Sequence, residues 1–255
     1  MFLEFFTICC CWVSAAASLR ILQLLRSATD GSRLMDRQLG HLAVADLVSS
    51  LGLSVHFGLP LLVSVGLTPT TASHKMDACC IWSAFIAVSG LFTSSMVEVH
   101  LSLSLLAALF RRVRVLNILL CSLWFVCPTG LLFATLHHYL LGMHWSSGKC
   151  VLTSDPVFGP FQILCMLVCA ACYFVCYVRV RVAEDVGLSV LKKVWARAHL
   201  FLLGWFLGTL PSVVVTLYFP GPHVLHQLSA ACMGLNGAAN LVVYMFHHAQ
   251  RLEMR

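Results

Sequence analysis

The sequence predicts an all-α membrane protein, a bundle of seven transmembrane helices with the N-terminus outside and the C-terminus in the cytoplasm. Three observations predict this fold: the composition, the division of the chain into seven apolar segments, and the distribution of basic residues among the connectors. Of the 255 residues, 60% are hydrophobic and 10% are charged, whereas an average soluble domain has about 25% charged residues. Apolar stretches of about 20 residues are long enough to cross a bilayer.

The predicted spans form a single domain over residues 1–255 and are separated by short polar or basic connectors. They cover residues 2–25, 39–67, 79–110, 115–137, 157–178, 198–219 and 223–246. No basic segment precedes the first span, so we expect it to be a membrane anchor rather than a cleaved signal peptide. Pro60 is expected to kink the second span near its outer end.

The lysines and arginines predict the orientation, because cytoplasmic loops carry an excess of basic residues. Only Lys75 and Lys149 lie on the predicted outer side. The other fourteen lie at or near the predicted inner ends of the spans: Arg20, Arg26, Arg33 and Arg37; Arg111, Arg112 and Arg114; Arg179, Arg181, Lys192, Lys193 and Arg197; and Arg251 and Arg255.

Asp46 is an acidic residue within the apolar second span. A charge at the bilayer centre costs about 2.5–3.5 kcal/mol and therefore requires partners. Asn236, Asn240 and Tyr244 in span seven are four residues apart and project from one helical face. These side chains could simply join helices, or they could form a hydrated core that acts as a conformational switch or cation site. We favour the second interpretation.

Several of these residues resemble motifs of the rhodopsin-like G-protein-coupled receptors. Residues 42–46 (LAVAD) resemble the signature of the second helix, and residues 240–244 (NLVVY) resemble the Asn-Pro-x-x-Tyr motif of the seventh. Trp124 and Pro211 are similar to the marker residues of helices four and six. The resemblance implies a sodium site formed by Asp46, Ser94, Asn236 and Asn240, with Tyr244 and Pro211 as switch residues.

The resemblance also implies a disulfide bond between Cys150 and Cys80, with Cys79 as the alternative partner. Other family features are absent: residues 104–106 (SLL) stand in place of Asp-Arg-Tyr, Thr209 replaces the tryptophan of helix six, and Leu241 replaces the proline of helix seven. In these departures the chain looks closer to the divergent cyclic-AMP-receptor-like orphan receptors.

Two further features of the spans have both a structural and a functional interpretation. Glu98 lies deep in span three, and an acidic residue within a membrane is a functional candidate by default. It could be protonated, pair with a basic group such as Arg20 or His199, or act as a local switch. The Gly204–Gly208 step permits close helix packing, for which an intramolecular contact is favoured over a dimer interface.

The function expected from this sequence is that of an orphan receptor. We expect a multi-pass membrane protein, most simply of the plasma membrane. Expected partners are membrane lipids, a small-molecule or lipid ligand, and a heterotrimeric G protein contacting Arg111, Arg112 and Arg114. We expect no enzyme activity, no zinc site and no nucleic-acid binding, and Na⁺ at Asp46 is the only expected cofactor. The alternatives are a non-signalling scaffold and a transporter.

Overall fold

The computed structural model describes residues 2–27, 34–66, 73–140, 143–146, 149–152, 157–182, 203–215 and 223–252. These residues form eight helices: α1 Phe2–Ser27, α2 Leu34–Ser64, α3 Ser73–Leu109, α4 Val113–Leu140, α5 Phe158–Val182, α6 Leu203–Val215, α7 His223–Gly234 and α8 Asn236–Leu252. Two short strands, β1 Met143–Ser146 and β2 Lys149–Leu152, pair as an antiparallel hairpin. The predicted helical fold is therefore confirmed, with the hairpin as an addition.

Among the residues that the structure describes, six segments are long and apolar enough to cross a membrane. Helices α1 to α5 supply five of them, and α7 with α8 supplies the sixth over Gln227–Met245. Helix α6 is apolar but shorter, at Leu203–Val215, and the remaining parts of the predicted sixth span, 198–202 and 216–219, lie outside the described residues. The described part of the chain is thus a multi-pass membrane bundle.

The outer surface of the bundle is apolar, as a lipid-facing surface requires. On α4 the side chains of Trp124, Phe125 and Leu132 are each about two-thirds exposed, and on α5 the side chains of Leu167 and Phe174 are similarly exposed. Such a surface is rare on a soluble monomer. In a bilayer, lipid chains cover these residues.

Helix α3 is central to the bundle, since it packs against α2, α4, α5 and β1. Its contact with α2 is close because Gly90 has no side chain. A Cβ atom at this position would lie 2.5 Å from the backbone nitrogen of Ser49 and 2.6 Å from the carbonyl oxygen of Ala45. Small residues at helix interfaces let two backbones approach in this way.

The predicted seventh span is interrupted at one residue. Helix α7 ends at Gly234 and α8 begins at Asn236, but the amide of Leu235 still donates to the carbonyl of Ala231 at 3.1 Å. The amide of Ala239 in turn donates to the carbonyl of Leu235 at 3.0 Å, so helical hydrogen bonding continues on both sides of the interruption. Both helices pack against α1, where the amide of Gly237 donates to Ser14 Oγ at 3.0 Å.

The hairpin lies in the part of the chain that the sequence predicts to be the longest polar loop, residues 138–156. Residues 138–140 belong instead to the end of α4, and the hairpin strands follow. Trp145 and Cys150 face each other as a strand pair. The hairpin lies against α3 and α2, so it covers the end of the bundle at which α3 begins.

A buried polar site between α2, α3 and α8

The carboxylate of Asp46 is buried and accepts three hydrogen bonds from two other helices. Its Oδ1 accepts from Ser94 Oγ on α3 at 2.9 Å and from Asn236 Nδ2 on α8 at 3.0 Å. Its Oδ2 accepts from Asn240 Nδ2, also on α8, at 2.7 Å. The structure therefore brings together all four residues of the predicted sodium site.

The local sequence explains why these side chains meet. Gly90 lies one helical turn before Ser94 and allows α3 to approach the turn of α2 that carries Asp46. Asn236 and Asn240 are one turn apart, so both point to the same side of α8. Gly208 on α6 leaves room beside them, because a Cβ atom there would lie 3.6 Å from Asn236 Oδ1.

The site contains negative charge and unused acceptors. The amide oxygens Asn236 Oδ1 and Asn240 Oδ1 are both buried and have no hydrogen-bond donor. A buried acceptor left without a donor costs about 1–3 kcal/mol. The site therefore combines a carboxylate surrounded by neutral donors with two buried oxygen acceptors that have no donor. Hard cations prefer such oxygen ligands.

A second buried polar cluster joins α2, α3 and α4 about two turns away from Asp46. Gln38 Nε2 donates to Ser104 Oγ and lies 2.7 Å from His100 Nδ1. On the other side of the ring, His100 Nε2 lies 2.8 Å from the carbonyl oxygen of Leu119. Since Gln38 donates to Nδ1, the ring is neutral and carries its proton on Nε2, where it donates to Leu119.

The sequence interpretation missed this cluster because it assigned Gln38 to the connector before span two. Helix α2 begins at Leu34, so Gln38 lies inside the helix. Its spacing of eight residues from Asp46, on the same helical face, was the signal that could have identified it. A contact between Ser95 Oγ and Gln162 Oε1 at 2.9 Å, which joins α3 to α5, was also missed.

The two predicted switch residues, Tyr244 and Pro211, lie on α8 and α6. Tyr244 is partly buried and packs against an apolar cluster that includes Leu42 and Val97. Pro211 is partly buried in α6, next to the buried side chain of Ser212.

Cys80 is buried and disulfide-bonded, whereas Cys79 is exposed and free. This assigns the bridge to Cys80 in preference to the alternative. The backbone of Cys150 lies in β2, but its side chain is outside the described part of the structure. The Cys80–Cys150 pairing therefore stays a prediction.

The three arginines predicted to contact a cytoplasmic partner lie where α3 turns into α4. Arg111, Arg112 and Arg114 are all exposed. Arg111 has a positive φ of 53°, and the amide of Arg112 donates to the carbonyl of Ala107 at 2.9 Å. This pattern caps the end of α3 and presents the arginines to solvent.

Glu98 is buried, with its side chain 1% exposed. The predicted pairing with Arg20 is wrong, because Arg20 is exposed and donates to Gln23 Oε1 at 3.3 Å. The other predicted partner, His199, lies outside the described residues. The Gly204–Gly208 step faces α7 and α8, since a Cβ atom at Gly204 would lie 3.3 Å from that of Ala239.

Among the residues that the structure describes, no three histidine, cysteine, aspartate or glutamate side chains are arranged to hold a metal ion. The polar site at Asp46 is different in kind, since serine and asparagine supply most of its oxygen atoms. Neither a protein-family model nor a curated protein sequence matches this chain.

Proposed function

We propose that this chain is a receptor of the G-protein-coupled type, with seven transmembrane helices and its N-terminus outside the cytoplasm. In this proposal α6 is the central part of the missing span, and the basic segment 179–197 is a cytoplasmic connector. The distribution of basic residues supports the orientation. The turn that carries Arg111 would then face the cytoplasm, and the hairpin would face outward.

One observation carries the proposal: the buried Asp46 carboxylate, held by Ser94, Asn236 and Asn240, beside two amide oxygens without donors. These groups lie on α2, α3 and α8. A cation bound among them would favour one packing of the three helices over another. A ligand that prefers the second packing would release the cation and shift the population of states.

The proposed ligand is a small molecule or lipid, and the proposed intracellular partner is a heterotrimeric G protein. The family's Asp-Arg-Tyr position is occupied here by residues 104–106, and Ser104 is engaged by Gln38. Coupling therefore depends on other groups at the inner end of the bundle. The exposed arginines Arg111, Arg112 and Arg114 are the proposed contact.

The cation site is tested by thermal stability of the purified chain in detergent. We compare NaCl with choline chloride at equal ionic strength and expect a higher melting temperature in NaCl. At a sodium concentration ten times the dissociation constant, binding adds about 1.4 kcal/mol. The Asp46→Asn variant should lose this difference. Asp36→Asn, the same substitution in the first turn of α2, should keep it.

The receptor role is tested separately in cells. We expect Asp46→Asn to change the basal second-messenger output of cells that express the chain, while Asp36→Asn leaves it unchanged at equal surface expression. If sodium stabilises the chain but no messenger output depends on Asp46, the site exists and the receptor role is wrong. If neither measurement depends on Asp46, the result favours a non-signalling scaffold.

A further inference from the structure

A second buried acid lies close to the Asp46 site. Glu98 follows Ser94 by one helical turn on α3, so both side chains lie on the same face of that helix. The Glu98 side chain is 1% exposed, and its Oε1 has no hydrogen-bond partner. An ionised carboxylate with an unpaired buried oxygen is strongly unfavourable. The neutral acid, which carries a proton, is the form that this environment accepts.

The neighbours of Glu98 supply no positive charge in the described part of the chain. From α2, the charge of Asp46 acts on Glu98. From α5, Cys169 and Tyr173 lie within its electrostatic reach. Further titratable side chains on this face of α5 are Cys165, Cys172 and Cys176. Trp205 of α6 packs beside Tyr173 and Cys169, and α6 has no charged residue within Leu203–Val215.

Two acids in one apolar interior cannot both be ionised without a compensating charge. The Asp46 carboxylate has three hydrogen-bond donors, whereas Glu98 Oε1 has none. The single negative charge therefore resides on Asp46. A monovalent cation beside Asp46 would neutralise that charge and remove the repulsion that opposes ionisation of Glu98.

We propose that Glu98 is a proton-binding site and that proton binding there opposes cation binding at Asp46. Cation binding thereby lowers the proton affinity of Glu98, although the cost of burying its charge remains. At a pH near the titration of Glu98, a fraction of the chains therefore loses the proton: the O–H bond breaks, its electron pair stays on the carboxylate, and the proton passes to bulk water. By linkage, the cation weakens proton affinity by the same factor as the proton weakens cation affinity. The coupling rests on the proposed cation site, whereas the proton site itself does not.

Infrared difference spectroscopy tests the proton site. The wild-type chain in lipid nanodiscs, in choline chloride, is stepped from acidic to alkaline pH, and the carbonyl stretch of protonated carboxylic acids is recorded. We expect a band that is lost in Glu98→Gln and kept in Glu4→Gln. Glu4 is a matched control because it is also buried but accepts from Gln227 Nε2 at 3.3 Å. A spectrum unchanged by Glu98→Gln would overturn the proposal.

If Glu98→Gln fails to fold, isotope labelling replaces it. Wild-type protein with ¹³C-labelled glutamate should show the band at a shifted frequency, whereas labelled aspartate should leave it unchanged. A band that moves with aspartate labelling would assign the proton to an aspartate such as Asp46 and overturn the proposal.

The coupling is tested by adding NaCl to weakly buffered nanodiscs that contain a pH indicator, from a starting pH within the range over which the Glu98 band titrates. Wild type should release protons and lose intensity in the Glu98 band, and Glu98→Gln should release none. A sodium-insensitive Glu98 band, in a chain that sodium stabilises, would overturn the coupling. If sodium does not stabilise the chain, the proposed cation site is wrong. The infrared measurement still tests the proton site at Glu98 in that case.

Discussion

Two polar clusters join α2 to its neighbours, and they differ in charge and in how completely their atoms are paired. The cluster at Asp46 holds a carboxylate and leaves two buried amide oxygens without donors. The cluster at Gln38 and His100 is neutral, and no buried nitrogen or oxygen of those two side chains lacks a hydrogen bond. The first is incomplete without a ligand, whereas the second is complete as it stands.

This difference indicates separate roles for two positions on α2 that are about two turns apart. A complete neutral network stabilises one arrangement of helices, because any movement breaks hydrogen bonds that no water replaces. An incomplete charged network can gain stability from an added ion and so can distinguish two arrangements. We therefore expect the Gln38 cluster to contribute to stability and the Asp46 cluster to make the bundle sensitive to ions.

The largest expected effect is that of Gly90→Ala, which would separate α2 from α3 at the Asp46 cluster. The new Cβ atom would lie 2.5 Å from the Ser49 backbone nitrogen, and backbone cannot move aside as a side chain can. We expect the free energy of unfolding to fall by about 3 kcal/mol. We also expect the difference in melting temperature between NaCl and choline chloride to disappear. Gly58→Ala is the control, because nothing lies within 4 Å of its added Cβ. Equal stability of the two variants would contradict the close α2–α3 contact.

The next effect is that of Gln38→Leu in the complete cluster. Loss of the amide leaves His100 Nδ1 and Ser104 Oγ without their described donor, for which we expect about 2–3 kcal/mol of destabilisation. The loss should be the same in NaCl and in choline chloride. Gln23→Leu, at an exposed position, should change stability by less than about 0.5 kcal/mol. A sodium-dependent loss in Gln38→Leu would show that the two clusters are not independent.

The smallest effect is that of Asn236→Ala measured without sodium. The variant loses a hydrogen bond of 3.0 Å to Asp46 but also removes a buried oxygen that has no donor. These changes partly cancel, so we expect about 1 kcal/mol. In NaCl the destabilisation should be larger, because the wild type gains a contact between the cation and Asn236 Oδ1 that the variant lacks. A cost that stays constant from choline chloride to NaCl would exclude Asn236 Oδ1 as a cation ligand.

Much of the polar site could be predicted because helical spacing constrains it. Asn236 and Asn240 are four residues apart, and a helix must place them on one face wherever it lies. Asp46 in an apolar span requires donors, and the chain contains only three asparagines. These arguments identify the residues of the site. They do not predict which atom donates each hydrogen bond or which oxygens are left without a donor, because those details depend on side-chain rotation within the packed bundle.

The Gln38 cluster and the surroundings of Glu98 could not be predicted in the same way. Gln38 was misassigned because the start of a helix in a polar connector has little hydrophobic signal. Arg20 was a reasonable partner for Glu98 by charge alone, but its side chain points away from the bundle. Contacts between residues distant in sequence depend on helix rotation and relative height, which periodicity leaves open.

The amino-acid sequence by itself determined the membrane class, the approximate limits of the described spans, and the need of Asp46 for polar partners. These follow from burial energies and helical geometry, which act within a single segment. Only the tertiary structure decided that the Asp46 cluster is unsaturated, that the His100 cluster is complete, and that Glu98 has a buried oxygen without a partner. The reason is that hydrogen bonding between helices requires atoms to meet within about 3 Å, and that precision comes from packing the whole bundle.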